Sequence, residues 1–231
     1  MNYEYGMKVV RGYVEDFRTI HKFGANNSLS ASEETIWSGG GLYPWSSLAT
    51  AQTIYFISTD NADTTTIEVQ GLDANYNLQT KQYTLTGTTA IDSGSDTWTR
   101  IFRMFAEEAH AGDITARVTS GAGTIVAQIE ASFAQTRMSV YTIPAGFNGY
   151  LLQYTVGVGK GDDVNLDMHI RRFGSSFRIQ NQSHLYQNTF THSFALPLYI
   201  PEKSDIDFRG TTQTPGSDCL VSFDLILDKK S

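Results

Sequence analysis

The chain has 231 residues, of which 18% are charged, with a net charge of −7 and a pI near 5.1. DNA and RNA binding requires Lys and Arg clustered on one face, so this acidic balance argues against a nucleic-acid partner. An aromatic fraction of 12% and 20 glycines favour strands and turns over helices, and the composition therefore predicts an all-β protein.

Cys219 is the single cysteine, so no disulfide can form within the chain, and its place at the start of an apolar strand predicts a buried thiol. No uncharged apolar run approaches the length that spans a membrane, and residues 1–17 lack the apolar region of a signal peptide. We expect a protein that is made in the cytoplasm and has no membrane partner.

Residues 1–48 are predicted to form an extended N-terminal arm followed by a glycine-rich loop. The arm mixes charged with aromatic residues, a composition that suits a segment that becomes ordered on contact. Its candidate contact residues are Tyr3, Tyr5, Tyr13 and Phe17.

The glycine-rich loop, here called the GGG loop, runs from Trp37 to Trp45 with glycines at positions 39–41. Glycines are costly to order unless the backbone needs conformations that are closed to other residues, so the flanking rings must compensate by burying area. We expect Trp37, Tyr43 and Trp45 to anchor this loop on a β body or on a neighbouring subunit. The alternative is that the same rings stack on a sugar.

Residues 49–135 are predicted to form a small β-sandwich or a first β subdomain. Two hairpins are expected, one joining residues 113–119 to 124–130 and the other joining 67–70 to 83–85. Residues 101–105 fit a strand better than the start of a helix.

Residues 136–231 are predicted to form a jelly-roll-like antiparallel β-sandwich, packed as a second sheet or subdomain against the first. Alternating apolar residues mark its strands: Leu152, Tyr154, Val156 and Val158; Val164, Leu166, Met168 and Ile170; and Val221, Phe223, Leu225 and Leu227. A shift of one residue would bury the polar set, so the register is well specified. Residues 157–163 lack Walker A spacing, and a hairpin turn is predicted there instead of a phosphate loop.

Catalytic motifs are absent: the sequence contains no H-E-x-x-H, no G-x-S-x-G and no Cys/His zinc cluster. His184 and His192 are expected on the surface of one strand pair, and His169 is expected in a solvated or interface network with Asp167 and Arg171. The carboxylate pairs at 33–34, 107–108 and 162–163 are expected to be solvated, because neighbours on a strand point to opposite faces. The sequence therefore predicts no enzyme, no cofactor and no bound metal.

Five groups of residues follow one another across most of the chain: His21-Lys22-Phe23-Gly24 with Asn26; Ile36-Trp37, Gly39-Gly40-Gly41 and Tyr43-Pro44-Trp45; Gly71-Leu72-Asp73; Ile143-Pro144-Ala145-Gly146 with Gly149-Tyr150; and Phe223-Asp224-Leu225-Ile226-Leu227. In these groups the chain resembles virion structural proteins of tailed bacteriophages, particularly marine and cyanobacterial phages. The first two groups are the most specific. One departure is that proline often follows the asparagine of the first group, whereas Asn27 and Ser28 follow it here.

The resemblance implies a non-enzymatic virion protein, above all a capsid decoration or cement protein that stabilises junctions between major capsid subunits. It implies a homo-oligomer, with a trimer favoured, and a location on the capsid surface next to the major capsid protein or other virion proteins. One alternative is a neck, tail or fibre protein that binds a receptor or glycan. A hydrolase of surface glycan is the second alternative, and it would require a convergent acid pair that the sequence does not offer.

Overall fold

The structure is a computed structural model that describes the backbone of residues 3–230 and the side chains of residues 6–230. It confirms the predicted all-β class, because sixteen strands form antiparallel sheets and the described range contains a single short α-helix, α1 (Tyr3–Val10). Within that range, no helix has the length and apolar character needed to cross a membrane.

Two of the sheets face each other. The first has the strand order β1 (Phe17–Leu29), β16 (Ser217–Lys229), β11 (Phe147–Val158) and β14 (Thr189–Ile200). The second has the order β10 (Val140–Thr142), β15 (Asp205–Thr211), β12 (Asp163–Arg171) and β13 (Arg178–Tyr186), and β2 (Glu34–Thr35) also pairs with β15. Their inward side chains share one hydrophobic cluster, so the two sheets form an antiparallel sandwich.

The other two sheets come from the first half of the chain. One has the order β6 (Ile91–Asp92), β3 (Tyr55–Ser58), β8 (Ile114–Arg117) and β9 (Ile125–Ile129), and the other has β5 (Leu78–Thr84), β4 (Thr66–Leu72) and β7 (Arg100–Ala106). They share a second hydrophobic cluster, which the rings of the GGG loop join. The predicted hairpins are confirmed, since β8 pairs with β9 and β4 pairs with β5, and residues 101–105 lie in a strand.

The alternating patterns explain the sandwich core. The four apolar residues of β12 and the four of β16 are all 7% exposed or less. The pattern predicted for β11 is wrong at Leu152, because a β-bulge between Leu151 and Gln153 turns Leu151 into the core instead.

Two connections differ from the predicted hairpins. β11 pairs with β14 and β16, whereas β12 pairs with β13 and β15, so residues 159–162 cross from one sheet to the other. β13 and β14 also belong to different sheets. His184 on β13 and His192 on β14 therefore do not lie on one strand pair. The alternation of apolar and polar residues cannot distinguish a hairpin within one sheet from a connection between two facing sheets. In both arrangements each strand buries one face.

The segment predicted as an arm contributes β1, which pairs with β16 along its length. Gly24 on this strand permits a close approach of three backbones, because a Cβ there would lie 2.3 Å from Ile36 O and 2.3 Å from Ser139 N. The predicted domain boundaries at residues 48 and 135 stay predictions.

Candidate functional site

The GGG loop folds back on its own tryptophan. Gly40 and Gly41 have φ values of +68° and +63°, a region that residues with side chains rarely adopt. Trp37 Nε1 donates hydrogen bonds to Gly40 O and Gly41 O, each at 3.0 Å. A Cβ on Gly39 would lie 2.5 Å from the Trp37 ring. The glycines are therefore required for the turn to close against Trp37.

The three predicted ring anchors form one buried cluster. The ring centroids of Trp37 and Tyr43 lie 5.2 Å apart and those of Tyr43 and Trp45 lie 4.7 Å apart, both edge to face. Trp37, Tyr43 and Trp45 are 2%, 3% and 6% exposed. They pack on the β body of their own chain. Their role as anchors for a neighbouring subunit or as a sugar platform stays a prediction.

Below these rings, β12 and β15 carry ionisable residues that lie opposite one another across the strands, and two of the three pairs join a carboxylate to an arginine. We call this set the charge ladder, and its three pairs are Asp167 with Arg209, His169 with Asp207, and Arg171 with Asp205. Opposite charges directly across an antiparallel pair stabilise it. The Phe177 ring covers the ladder, because the guanidinium carbons of Arg171 and Arg209 each lie 4.6 Å from its centroid.

Asp207 links the charge ladder to the GGG loop. Its carboxylate is fully buried and accepts hydrogen bonds from Thr35 Oγ1 at 2.9 Å, Trp45 Nε1 at 2.9 Å and Arg209 Nε at 2.7 Å. Burial raises the pKa of Asp207, although these three donors favour its charged form. The loop ring and the strand are thereby joined through one carboxylate.

Asp205 joins the two halves of the chain. It accepts hydrogen bonds from Arg100 Nε at 3.0 Å and from Thr142 Oγ1 at 2.6 Å, and it forms an ion pair with Arg171. Arg100 is 4% exposed and also donates to Leu48 O and Thr99 O. Arg100 and Asp205 therefore form an ion pair in which both side chains are buried and hydrogen-bonded.

His169 is not solvated, which corrects one of the two environments predicted for it, and the interface alternative stays a prediction. It is 6% exposed, its Nε2 lies 3.7 Å from Glu33 Oε1, and its Nδ1 has no hydrogen-bond partner. Burial lowers the pKa of His169, and the charge of Arg209 adds to this effect, so the neutral imidazole is favoured at pH 7. Among the described residues, Glu33, Asp167 and His169 form a group whose side-chain atoms lie close enough to hold a metal ion.

The predicted carboxylate pairs do not converge on a cleft. Glu33 bonds to Arg209, whereas its neighbour Glu34 accepts hydrogen bonds from Asn26 Nδ2 and Ser30 Oγ. Glu107 accepts from Gln82 Nε2 at 2.7 Å. These carboxylates thus contact local partners within the fold.

The predicted contact residues of the N-terminal segment are spread out. Tyr13 is 75% exposed, and Phe17 is half-buried at the start of β1 opposite Asp228. Tyr3 and Tyr5 belong to α1, but their side chains lie outside the described residues. Their role as interface residues stays a prediction.

A more exposed surface lies along β13 and β14, which are the last strands of their sheets. We call it the open edge, and its large exposed apolar residues are Ile179, Tyr186, Phe190, Leu196 and Tyr199. The exposed fraction of Leu196 is 84%. Across residues 173–200 the sequence has Arg178 as its one residue of the Asp, Glu, Lys or Arg type. The open edge is therefore nearly free of charge, and its exposed apolar residues lie among polar, uncharged ones.

The backbone of β14 protects part of this edge from strand addition. Residues 194–197 lie opposite Leu152 alone, and Pro197 has no N–H to donate. A bulge and an edge proline are devices that limit uncontrolled pairing of strand edges. Contacts through the exposed side chains of β14 are consequently favoured over a continuous ladder.

The surface of the protein also has two grooves. One, of about 550 Å³, lies between α1 and the first sheet and is lined mainly by apolar residues such as Val9, Ile20 and Leu225. The other, of about 560 Å³, lies beside the open edge and combines Phe173 and Tyr199 with Arg178 and Gln180. The second groove offers rings and hydrogen-bond donors together.

Sequence reasoning missed the buried charges. Lys22 is 3% exposed and donates to Phe102 O, and burial lowers its pKa. The alternation of Asp205, Asp207 and Arg209 along one strand was a signal for the charge ladder. The pattern alone would have placed these residues on a solvated face, because charged residues are rarely buried.

No protein-family model and no curated protein matches the chain. Among solved structures, the chain is similar to infectious bursal disease virus of the Gt strain at 10% identity and a TM-score of 0.20, over 94% of this chain and 78% of that chain. The Gx strain of that virus is similar at 10% identity and a TM-score of 0.21, over 94% of this chain and 77% of that chain. The VP2 subviral particle of that virus is similar at 8% identity and a TM-score of 0.20, over 94% of this chain and 78% of that chain. This is a weak structural resemblance to a viral capsid protein, too weak to carry a conclusion about function.

Proposed function

We propose that this protein is a non-enzymatic virion structural protein of the capsid decoration or cement type, which self-associates and binds at junctions between major capsid subunits. The open edge is the observation that carries the proposal, because it supplies a surface for association. The resemblance of the five residue groups to phage virion proteins supplies the setting.

The chemistry of the open edge favours contact with another copy of the chain. Each chain carries a net charge of −7, and residues 173–200 contain no carboxylate, so two such surfaces meet without repulsion between carboxylates. Exposed Tyr186, Phe190 and Leu196 supply the apolar centre that stable interfaces use. The resemblance favours a trimer as the product.

Such an oligomer would stabilise a capsid by binding energy alone. Contacts that span two capsid subunits are lost when the subunits separate, so each bound copy opposes separation under the internal pressure of packaged DNA. A rigid β body suits this role, because little conformational entropy is lost on binding. No cofactor is required.

Self-association is tested by analytical ultracentrifugation of the wild type and two matched variants. Leu196→Asp places a charge on the open edge and should raise the dissociation constant at least tenfold. Leu42→Asp introduces the same charge at a residue of the GGG loop that is 49% exposed, and it should have no effect. A monomeric wild type, or equal effects of the two variants, would contradict association through the open edge.

Binding to the particle is tested by adding the purified protein to phage heads that lack it and computing a map. Density at junctions between capsid subunits supports the decoration role. Density confined to the neck or tail would overturn that role and support the alternative location.

The groove beside the open edge favours one alternative function, the binding of a receptor or glycan by a neck, tail or fibre protein. Its rings and polar groups are of the kinds that bind sugars. Binding of host polysaccharide should then be lost in Phe173→Ala, whose parent side chain is 63% exposed. Undetectable binding by the wild type would remove this alternative.

A further inference from the structure

We propose that Glu33, Asp167 and His169 bind one divalent transition-metal ion, with Zn²⁺ as the probe, at the end of the charge ladder. This site is independent of the proposed capsid role. It would join the segment before β2 to β12 through a shared ion.

The geometry provides room for such an ion. One ligand atom from each of the three residues lies within 4.8 Å of the other two, and His169 Nε2 is 3.7 Å from Glu33 Oε1. Zn²⁺ binds His nitrogen and carboxylate oxygen at about 2.0–2.2 Å, which places two ligand atoms roughly 3–4 Å apart. The observed separation is too long for a hydrogen bond and falls within the range for two ligands of one ion.

His169 is a second and independent indication of a ligand. The imidazole is more than nine-tenths buried, its Nδ1 has no hydrogen-bond partner, and its Nε2 faces Glu33 at a distance beyond hydrogen bonding. Buried polar groups nearly always have a partner, because an unsatisfied one costs about 1–3 kcal/mol. An ion between Nε2 and the carboxylates would supply a partner to Nε2, which faces Glu33 without a hydrogen bond, and would leave Nδ1 as it is.

The neighbouring groups orient the two carboxylates. Arg209 Nη1 bonds Glu33 Oε2 at 2.8 Å, which leaves Oε1 directed toward His169. Gln182 Nε2 bonds Asp167 Oδ1 at 3.0 Å and leaves Oδ2 available. Hydrogen bonds of this kind from outside the ligand set fix the direction of metal ligands.

The local charge favours a divalent cation. Arg209 bonds the carboxylates of Glu33 and Asp207, and Asp167 lies opposite it in the strand register, so three carboxylates stand near one guanidinium. One imidazole with two carboxylates is a ligand set that suits Zn²⁺ and related ions, and the Glu33 side chain, 37% exposed, leaves a path from solvent.

The test is a calorimetric titration of the full chain with ZnCl₂ after chelator treatment. We expect one Zn²⁺ per chain, and we expect His169→Asn and Asp167→Asn each to weaken binding at least about tenfold. His21→Asn is the matched control, because His21 Nδ1 lies 2.7 Å from Asp224 Oδ1 on the exposed surface and offers a competing imidazole–carboxylate pair. It should leave the stoichiometry and affinity unchanged.

A wild type that binds no Zn²⁺, or whose binding is lost in His21→Asn and kept in His169→Asn, would overturn the proposal. Circular dichroism verifies that each variant is folded. If a variant is unfolded, X-ray absorption of the Zn²⁺-loaded wild type decides instead: one imidazole with oxygen ligands is expected. No imidazole, or two or more, would rule the site out.

Discussion

The GGG loop and the open edge are both rich in aromatic residues, yet their rings meet opposite environments. Trp45 is 6% exposed, whereas Tyr186 is 67% exposed. The GGG loop lies over the charge ladder, where Asp207 accepts the indole N–H of Trp45. The open edge has no comparable set of charged partners, and its strands end their sheets. Aromatic content alone therefore does not distinguish an internal anchor from an external surface.

The difference has a physical cause. A buried tryptophan needs an acceptor for its Nε1, and a buried carboxylate needs donors, so Trp45 and Asp207 satisfy each other. At the open edge, exposed tyrosine hydroxyls can bond to water, so no internal partner is required. Mutations that remove a buried partner at the GGG loop should therefore lower the free energy of unfolding, whereas mutations at the exposed open edge should have little effect on it.

The largest effect is expected for Asp205→Ala, which removes the carboxylate between Arg100 and Arg171. Arg100 would remain buried without its ion-pair partner, and we expect the free energy of unfolding to fall by about 3–5 kcal/mol. Urea denaturation followed by tryptophan fluorescence measures this loss. Asp218→Ala is the control at an exposed carboxylate, with an expected change within about 0.5 kcal/mol. A loss below about 1 kcal/mol for Asp205→Ala would show that the pair is solvated.

A smaller effect is expected for Trp45→Phe, which keeps an aromatic ring but removes the donor to Asp207. The loss should be about 1–3 kcal/mol, because one buried acceptor loses a hydrogen bond. Phe190→Leu on the open edge should change the free energy of unfolding by no more than about 0.5 kcal/mol in the monomer. Equal losses in the two variants would break the contrast between the regions.

The smallest change concerns reactivity instead of stability. Cys219 is fully buried on β16, as predicted, and burial raises the pKa of its thiol to about 12. At pH 8 only about one thiol in 10,000 would be ionised, so alkylation should be far slower than for a free cysteine. Leu220→Cys in a Cys219→Ser background is the control, because Leu220 is 53% exposed on the opposite face. Equal labelling of the two positions would show that the sandwich core is open.

Much of the strand content could be predicted, because alternation of apolar and polar residues reports which face of a strand is buried. Val164 to Ile170 and Val221 to Leu227 are examples, and the hairpin of β8 and β9 followed from local turn residues. The candidate site was less accessible to sequence reasoning. His169 was expected in a solvated or interface network, because only tertiary contacts bring Glu33 and Phe177 against it.

The sequence by itself determined the all-β class, the buried faces of the main strands and the need for ordered rings around the glycines. These follow from local chemistry: side chains alternate along a strand, and glycine permits positive φ. Only the tertiary structure decided that β11 and β12 lie in different sheets, that the GGG loop closes over a partly buried charge ladder, and that β13 and β14 remain open edges. The reason is that the strands that pair, and the loop that packs on the charge ladder, are far apart in the sequence. A local pattern does not specify which distant segment will be the partner.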